Sequence, residues 1–144
     1  NNKPENYWIL TDLQKISSDL NDKAEKLWKL VGLHQKRKLR AGDLSYGQQK
    51  LLELAMSLMN EPKMLLLDEP TAGINPTLIN GIIDRLISVN KDYGITLLVI
   101  EHNMKVIMNL AQRVFCLAHG QMLANGTPDE IKNDKRVLDA YLGA

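Results

Sequence analysis

A chain of 144 residues with 44% hydrophobic and 24% charged side chains is long enough for one domain with a real core, and its make-up is that of an ordinary globular protein. Eighteen basic residues stand against seventeen acidic ones, a formal charge of +1, so the total argues for neither nucleic acid nor an acidic membrane as partner. No apolar run reaches the ~20 residues of a membrane-spanning helix, so no direct membrane insertion is expected and any membrane link must come through a partner.

The chain opens on Asn1-Asn2-Lys3 without an initiator methionine, as expected of a processed product or of a piece of something longer. Leu10, Leu13, Ile16 and Leu20, and then Ala24, Leu27, Trp28 and Val31, recur at steps of three and four. That spacing predicts two amphipathic helices, with Gly32 where a helix C-cap belongs. Trp8 and Trp28 are expected in the core or at a subdomain interface. "HQKRKLR", 34–40, is locally basic; it suits a solvated helix end or loop, with a phosphate or partner contact as the other reading.

From Leu44 a helix is predicted to about Asn60, with Leu51, Leu54, Ala55 and Leu58 on one face and Pro62 stopping it. "KMLLLDEP" follows, an unbroken apolar run with acids at its end. The next helix takes Asn75 as N-cap and Pro76 in its first turn, turns Leu78, Ile79, Ile82, Ile83, Leu86 and Ile87 inward, and closes at Tyr93-Gly94. "ITLLVIEH" repeats the design of an apolar run ending in polar residues. After a short helix from about Asn103, "RVFCLA", "HG" and "QMLA" read as a hairpin. Cys116 is the single cysteine, so no internal disulfide can form and a reducing compartment is expected. Thr127 and Glu130 are spaced for a capping box with Pro128 between them, and a last helix, Lys135 to Leu142, ends at Gly143.

Two apolar strands joined by a helix of crossover length form a βαβ unit, and strands of this kind are expected to be parallel and buried on both faces. The class is α/β. Residues 1–60 are expected to form a helical subdomain, and residues 61–144 the sheet-bearing part with an antiparallel hairpin and helices at its end.

Ligands of open parallel sheets bind beyond the C-terminal ends of the strands. The first strand ends in Asp68-Glu69 and the second in Glu101-His102. A carboxylate directly after four apolar residues is costly to bury unpartnered, and a divalent metal is a good partner; Asp68 suits Mg²⁺. Glu69, one residue further, suits orienting or deprotonating a water. A solvated turn and a structural histidine are the plainer readings of the same residues. In "LSYGQQ", Ser45 and Gln48 have capping-box spacing, yet such a cap needs no Gly47, and glycine in a first turn gives up stability. Removing that side chain lets a ligand approach free N–H groups at the positive end of the helix dipole. An ordinary capped helix is the alternative.

Four segments in one order carry a family resemblance. "LSYGQQ" resembles the signature motif of ATP-binding cassette ATPases, and "MLLLDEP" their Walker B strand with its catalytic glutamate. "TAGINP" is similar to their D-loop, and "VIEH" to the switch-histidine segment. The wording of "LSYGQQKLLELA", "DEPTAGINP", "VIEHNM", "GQMLANGTPDEI" and "VLDAYLG" is similar to the ATP-binding subunits of branched-chain amino-acid importers. The resemblance implies a peripheral ATPase on the cytoplasmic face of the membrane, working as a pair of nucleotide-binding subunits docked on transmembrane permease subunits. It implies Asp68 at the Mg²⁺ site, Glu69 activating the attacking water and His102 at the γ-phosphate. Ser45, Tyr46, Gly47 and Gln48 would meet ATP held mainly by the opposing subunit, with Asn75 in the D-loop.

Three departures accompany the resemblance. Tyr46 replaces the usual first glycine of the signature, and Asn75 stands where many members carry aspartate. The phosphate loop, G-x-x-x-x-G-K-S/T, is absent: Gly42 to Gly47 has the glycine spacing but continues Gln48-Gln49, without lysine or hydroxyl. The adenine-stacking aromatic and the glutamine loop are absent too. The expectation is the C-terminal part of a nucleotide-binding domain that alone binds ATP weakly or not at all, with an apolar sheet edge prone to self-association. An ATPase of DNA repair or translation on the same cassette is a competing reading, and a catalytically silent interaction domain another.

Overall fold

The computed structural model describes residues 7–142, with side chains described for residues 15–141. The chain forms two compact units, Asn1–Leu65 and Leu66–Ala144. The side chains of Trp8, Leu10 and Leu13, and Gly143, lie outside the described residues.

In the first unit, α1 (Tyr7–Leu30) is one continuous helix of 24 residues where the sequence predicts two. The polar residues between Leu20 and Ala24 include no glycine or proline, so the backbone ladder passes from one apolar stripe to the next without a break. The C-cap falls as expected at Gly32, whose φ of 71° needs no Cβ penalty. Leu33 N–H donates to the Trp28 carbonyl at 2.9 Å and Gly32 N–H to the Lys29 carbonyl at 3.0 Å, the two bonds of a Schellman motif. Trp28 is half-buried beside the fully enclosed Val31.

The basic run after α1 is largely tied down. His34 Nε2 lies 2.7 Å from Glu25 Oε2 and Arg37 Nε 3.1 Å from Glu25 Oε1, so one acid of α1 receives two of its bases. Helix α2 (Tyr46–Leu58) starts and stops two residues inside its predicted bounds. It buries Leu54, Ala55 and Leu58, while Leu51 is half-buried.

The unit boundary falls within β1 (Met64–Asp68), which pairs with β2 (Thr96–Ile100) in a two-stranded parallel sheet. The crossover is α3 (Pro76–Tyr93), ended by Gly94 at φ 66°. Its buried face is Ile79, Ile82, Ile83, Leu86 and Val89. Leu78 does not turn inward; it is exposed in the first turn, and Ile87 is half-buried. The predicted stripe is therefore wider than the buried one, and it is displaced toward the C-terminus, where Val89 is fully enclosed.

The expectation of a sheet buried on both faces fails. Exposure alternates along both strands, and Leu66 and Ile100 are 71% and 62% exposed. An unbroken apolar run states a demand for two covering layers, and among the described residues only one is supplied.

Helix α4 (Met104–Leu110) leads to the hairpin of β3 (Val114–Ala118) and β4 (Gln121–Gly126), antiparallel with a register shift between Cys116 and Leu117. His119 and Gly120, both at positive φ, make its two-residue turn. The hairpin's inner residues Val114, Cys116 and Ala124 form a small core with Ile131 of α5 (Pro128–Asn133) and Val137 of α6 (Lys135–Leu142). Burial, and secondarily the charge of Asp134, pushes the Cys116 thiol up, so this cysteine packs as an inert apolar group. Thr127 caps α5 reciprocally with Glu130, whose carboxylate is held below its usual range first by the Thr127 backbone N–H.

Candidate functional site

The second unit carries the strand-end cluster. Asp68 is the last residue of β1, and Glu69 begins the turn beyond it with φ 45°. A side chain with a Cβ in that region costs about 1–3 kcal/mol and persists only where neighbouring bonds over-determine it. Here Glu69 N–H donates to the Ile100 carbonyl at 2.9 Å, and the Glu69 carbonyl accepts Ala72 N–H at 3.0 Å. The turn delivers the carboxylate to the histidine that follows β2: His102 Nδ1 lies 3.0 Å from Glu69 Oε1. Both side chains remain well exposed, 73% for His102 and 48% for Glu69. A polar contact so open to water adds little to stability, so its geometry is better suited to a ligand than to holding the fold.

Asp68 stands beside this pair along the chain, its side chain exposed and without a hydrogen bond or ion pair among the described residues. No three of His, Cys, Asp and Glu converge into a metal-holding group among the described residues. One open carboxylate is nonetheless the protein share that Mg²⁺ ordinarily takes, since it completes its octahedron with water and phosphate oxygens. The donor set fits Mg²⁺ brought with a phosphate and does not fit a metal caged by protein alone.

Glu101 is the residue that sequence reasoning left without a role. Its Oε1 accepts both the N–H and the hydroxyl of Thr71, and its Oε2 accepts Asn103 N–H at 3.4 Å. Thr71 is the one polar residue buried among the described residues. The signal was present as an acid closing a second apolar run, but its partner lies 30 positions away. Asn75 serves α3 as N-cap: its Oδ1 accepts from Thr77 N–H at 3.0 Å and Thr77 hydroxyl at 2.9 Å. This occupies the oxygen and leaves the amide NH₂ to any ligand.

In the first unit, Ser45 precedes α2 with extended backbone, and it has a capping-box relation to Gln48. The arm that closes with ordinary hydrogen-bond geometry is Ser45 N–H to Gln48 Oε1 at 3.1 Å. The other arm, from the Gln48 backbone N–H to the Ser45 hydroxyl, is present but short of full hydrogen-bond geometry. Lys36 Nζ also reaches Gln48 Oε1 at 3.3 Å, so the Gln48 oxygen is engaged twice and its NH₂ is left as donor. Tyr46 and Gly47 occupy the first two helical positions, whose N–H groups have no intrahelical acceptor. The Tyr46 ring is engaged by Lys50, whose ammonium is 5.7 Å from the ring centre. The Ser45 hydroxyl, the Gln48 NH₂ and the backbone N–H groups thus form a donor-rich helix tip, suited to an anion.

The two caps make a comparison possible. Thr127→Ala removes a full reciprocal cap and is expected to cost about 1 kcal/mol, whereas Ser45→Ala removes only the weaker arm of its box and leaves the Ser45 N–H to Gln48 bond in place, so it should cost ~0.5 kcal/mol. Urea unfolding midpoints of the two variants measure this; equal losses would show that the Ser45 hydroxyl caps α2 as firmly as Thr127 caps α5.

The chain matches the family model described as ABC transporter over residues 2–72 and that described as branched-chain amino acid ATP-binding cassette transporter over residues 121–144. It is 36% identical over 130 residues to the high-affinity branched-chain amino acid transport ATP-binding protein LivG of Salmonella typhimurium, an alignment covering 90% of this chain and 51% of that protein. The corresponding protein BraF of Pseudomonas aeruginosa is 40% identical over 103 residues, covering 72% of this chain and 40% of the relative. Among solved structures, an ATP-binding cassette of an ABC transporter in its ADP conformation superposes with a TM-score of 0.78 at 33% identity, over 88% of this chain and 51% of the other. A nucleotide-free ATP-binding cassette gives 0.76 at 35% identity, over 88% and 51%. The chain spans about half the length of the curated relatives it matches.

Proposed function

This chain belongs to the ATP-binding cassette transporter family, and we propose that it is the C-terminal part of an ATPase subunit that energises import of branched-chain amino acids. The observation that carries the proposal is the Glu69–His102 pair at 3.0 Å, held beside an open Asp68 at the ends of two paired strands. Relatives named for branched-chain amino acid transport supply the solute class.

In this reading Asp68 would hold Mg²⁺ brought with the nucleotide, and the chemistry such an ion would supply is neutralisation of phosphoryl charge. The Glu69 carboxylate accepts a hydrogen bond from the attacking water and orients it in line. His102 bridges: its Nδ1 side stays with Glu69, which leaves the Nε2 side of the ring to meet a γ-phosphate oxygen. The Ser45 hydroxyl, the Gly47 N–H and the Gln48 amide meet the γ-phosphate of ATP bound to a second nucleotide-binding subunit, with Tyr46 at the edge of that contact and Asn75 in the segment that adjoins it. The partners are that second subunit and transmembrane permease subunits at the inner face of the membrane. Among the described residues no helix is long and apolar enough to cross a membrane. Neither nucleic acid nor a silent role is favoured: the charge is near neutral, Asp68 is present and Glu69 is paired with His102.

ATP-driven uptake by the intact subunit, reconstituted with its permease in vesicles, tests the proposal. Leucine, isoleucine or valine should accumulate only with Mg-ATP supplied on the subunit's side; turnover indifferent to all three amino acids, with no uptake, overturns the assigned solute. The 144-residue chain alone has donors for one end of the nucleotide, so calorimetric titration with Mg-ATP should show no binding tighter than the millimolar range.

A further inference from the structure

We propose that Glu101 and Thr71 form a clip that sets the distance between Glu69 and His102, making both of them positioning residues for hydrolysis. The inference rests on the reading of Glu69 and His102 given above. Its structural half stands on contacts within the second unit alone.

The two members of the pair come from different loops. Glu69 belongs to the turn after β1 and His102 to the segment after β2, and each side chain is open to water. Their own bond is too exposed to hold two loops in register. The ladder ends where they begin: the last backbone bond joining the strands at this end is Glu69 N–H to the Ile100 carbonyl. Past that point the described contact between the loops, besides the pair itself, is Glu101 with Thr71.

The chemistry of that contact suits a rigid link. Glu101 Oε1 takes two donors from one residue, Thr71 N–H at 3.1 Å and the Thr71 hydroxyl, so the threonine is fixed in position and in rotamer. Thr71 is 5% exposed, which removes competing water. Glu101 Oε2 turns to Asn103 N–H, binding the carboxylate across His102 to the residue on its far side. His102 is thus flanked by the two ends of one clip, and Glu69 lies two residues before its other anchor. The clip also braces the Glu69 turn against its unfavourable φ, with Ile74 N–H donating to the Thr71 carbonyl at 3.2 Å on the outer side. Bonds to an ionised carboxylate are the stronger kind, and a shift of about 1 Å in a reacting group costs about 10²-fold in rate.

The test uses the intact ATPase and three substitutions. Thr71→Val keeps the shape and removes the hydroxyl donor, Thr71→Ser restores it, and Glu101→Ala removes the acceptor. Thr71→Val and Glu101→Ala are each expected to lower kcat by ~10-fold or more with KM for Mg-ATP within ~2-fold, and Thr71→Ser to recover most of the rate. A second readout needs no turnover. At alkaline pH the side-chain ¹⁵N shifts of His102 in the wild type should show the Nδ1–H tautomer that Glu69 Oε1 accepts, and Glu101→Ala should shift the balance toward Nε2–H.

If KM rises with kcat unchanged, or if the tautomer balance stays put in Glu101→Ala, the clip does not position the pair and the proposal is wrong. If instead Glu69→Gln leaves turnover untouched while the tautomer balance still responds to Glu101→Ala, the functional reading fails and the clip stands as structure. A Glu101→Ala protein that does not fold leaves Thr71→Val against Thr71→Ser as the deciding pair.

Discussion

Glu69→Gln in the intact ATPase is expected to lower ATP turnover by ~10²–10⁴-fold while leaving Mg-ATP binding nearly unchanged, the range that a positioned base contributes. The substitution preserves shape, and the amide oxygen still accepts from His102 Nδ1 at the site of the present 3.0 Å contact. What disappears is the negative charge that orients the attacking water and relieves it of a proton. Because Asp68 makes no described bond to Glu69, its hold on Mg²⁺ should survive, so the loss belongs in kcat and not in KM. Phosphate release under saturating Mg-ATP, with fluorescent-nucleotide binding alongside, separates the two. Turnover at the wild-type rate would remove Glu69 from the mechanism and return the silent-domain reading to contention.

The second large effect is one of stability. Leu86→Ala is expected to destabilise the protein by about 2–5 kcal/mol, read as a drop in the urea midpoint with the slope unchanged. Leu86 is 1% exposed in the middle of α3, with Ile82, Ile83 and Val89 buried on the same face. That helix is the crossover between β1 and β2, and its N-cap Asn75 is the end of the turn that starts at Glu69. A cavity under α3 therefore loosens the element on which the strand ends depend. Domains of this size have on the order of 5–15 kcal/mol in total, so the variant should be close to unfolding at 37 °C. Leu86→Met, nearly equal in volume, should cost less than ~1.5 kcal/mol. A Leu86→Ala midpoint equal to wild type would mean that the site collapses around the smaller side chain without leaving a void.

Much of the candidate site was readable before any fold was known, and the readable parts share a property. Ser45 with Gln48, Asn75 with Pro76, and Thr127 with Glu130 are each contained within four consecutive residues, and each sits at the start of a helix. Cap chemistry is local, so spacing is enough to find it. The apolar runs that became β1 and β2 were likewise evident, as was the gathering of acids and a histidine at their ends. The errors arose where a local signal had two outcomes. A polar stretch within α1 looks the same whether the helix stops or continues, and only the absence of glycine and proline told in favour of continuing. Leu78 fits the stripe of α3 by spacing, yet it sits in the first turn, ahead of the part of the helix that is covered.

The amino-acid order by itself determined the element types, the caps and the position of Asp68, Glu69 and His102 at strand ends, because each depends on backbone preferences and side chains a few residues apart. Only the tertiary structure decided the rest. Glu69 meets His102 across 33 positions and Glu101 takes Thr71 across 30, through bonds whose geometry requires the strands to be paired first. It also decided that the outer face of β1 and β2 is open, since an apolar strand specifies that it must be covered but not what covers it.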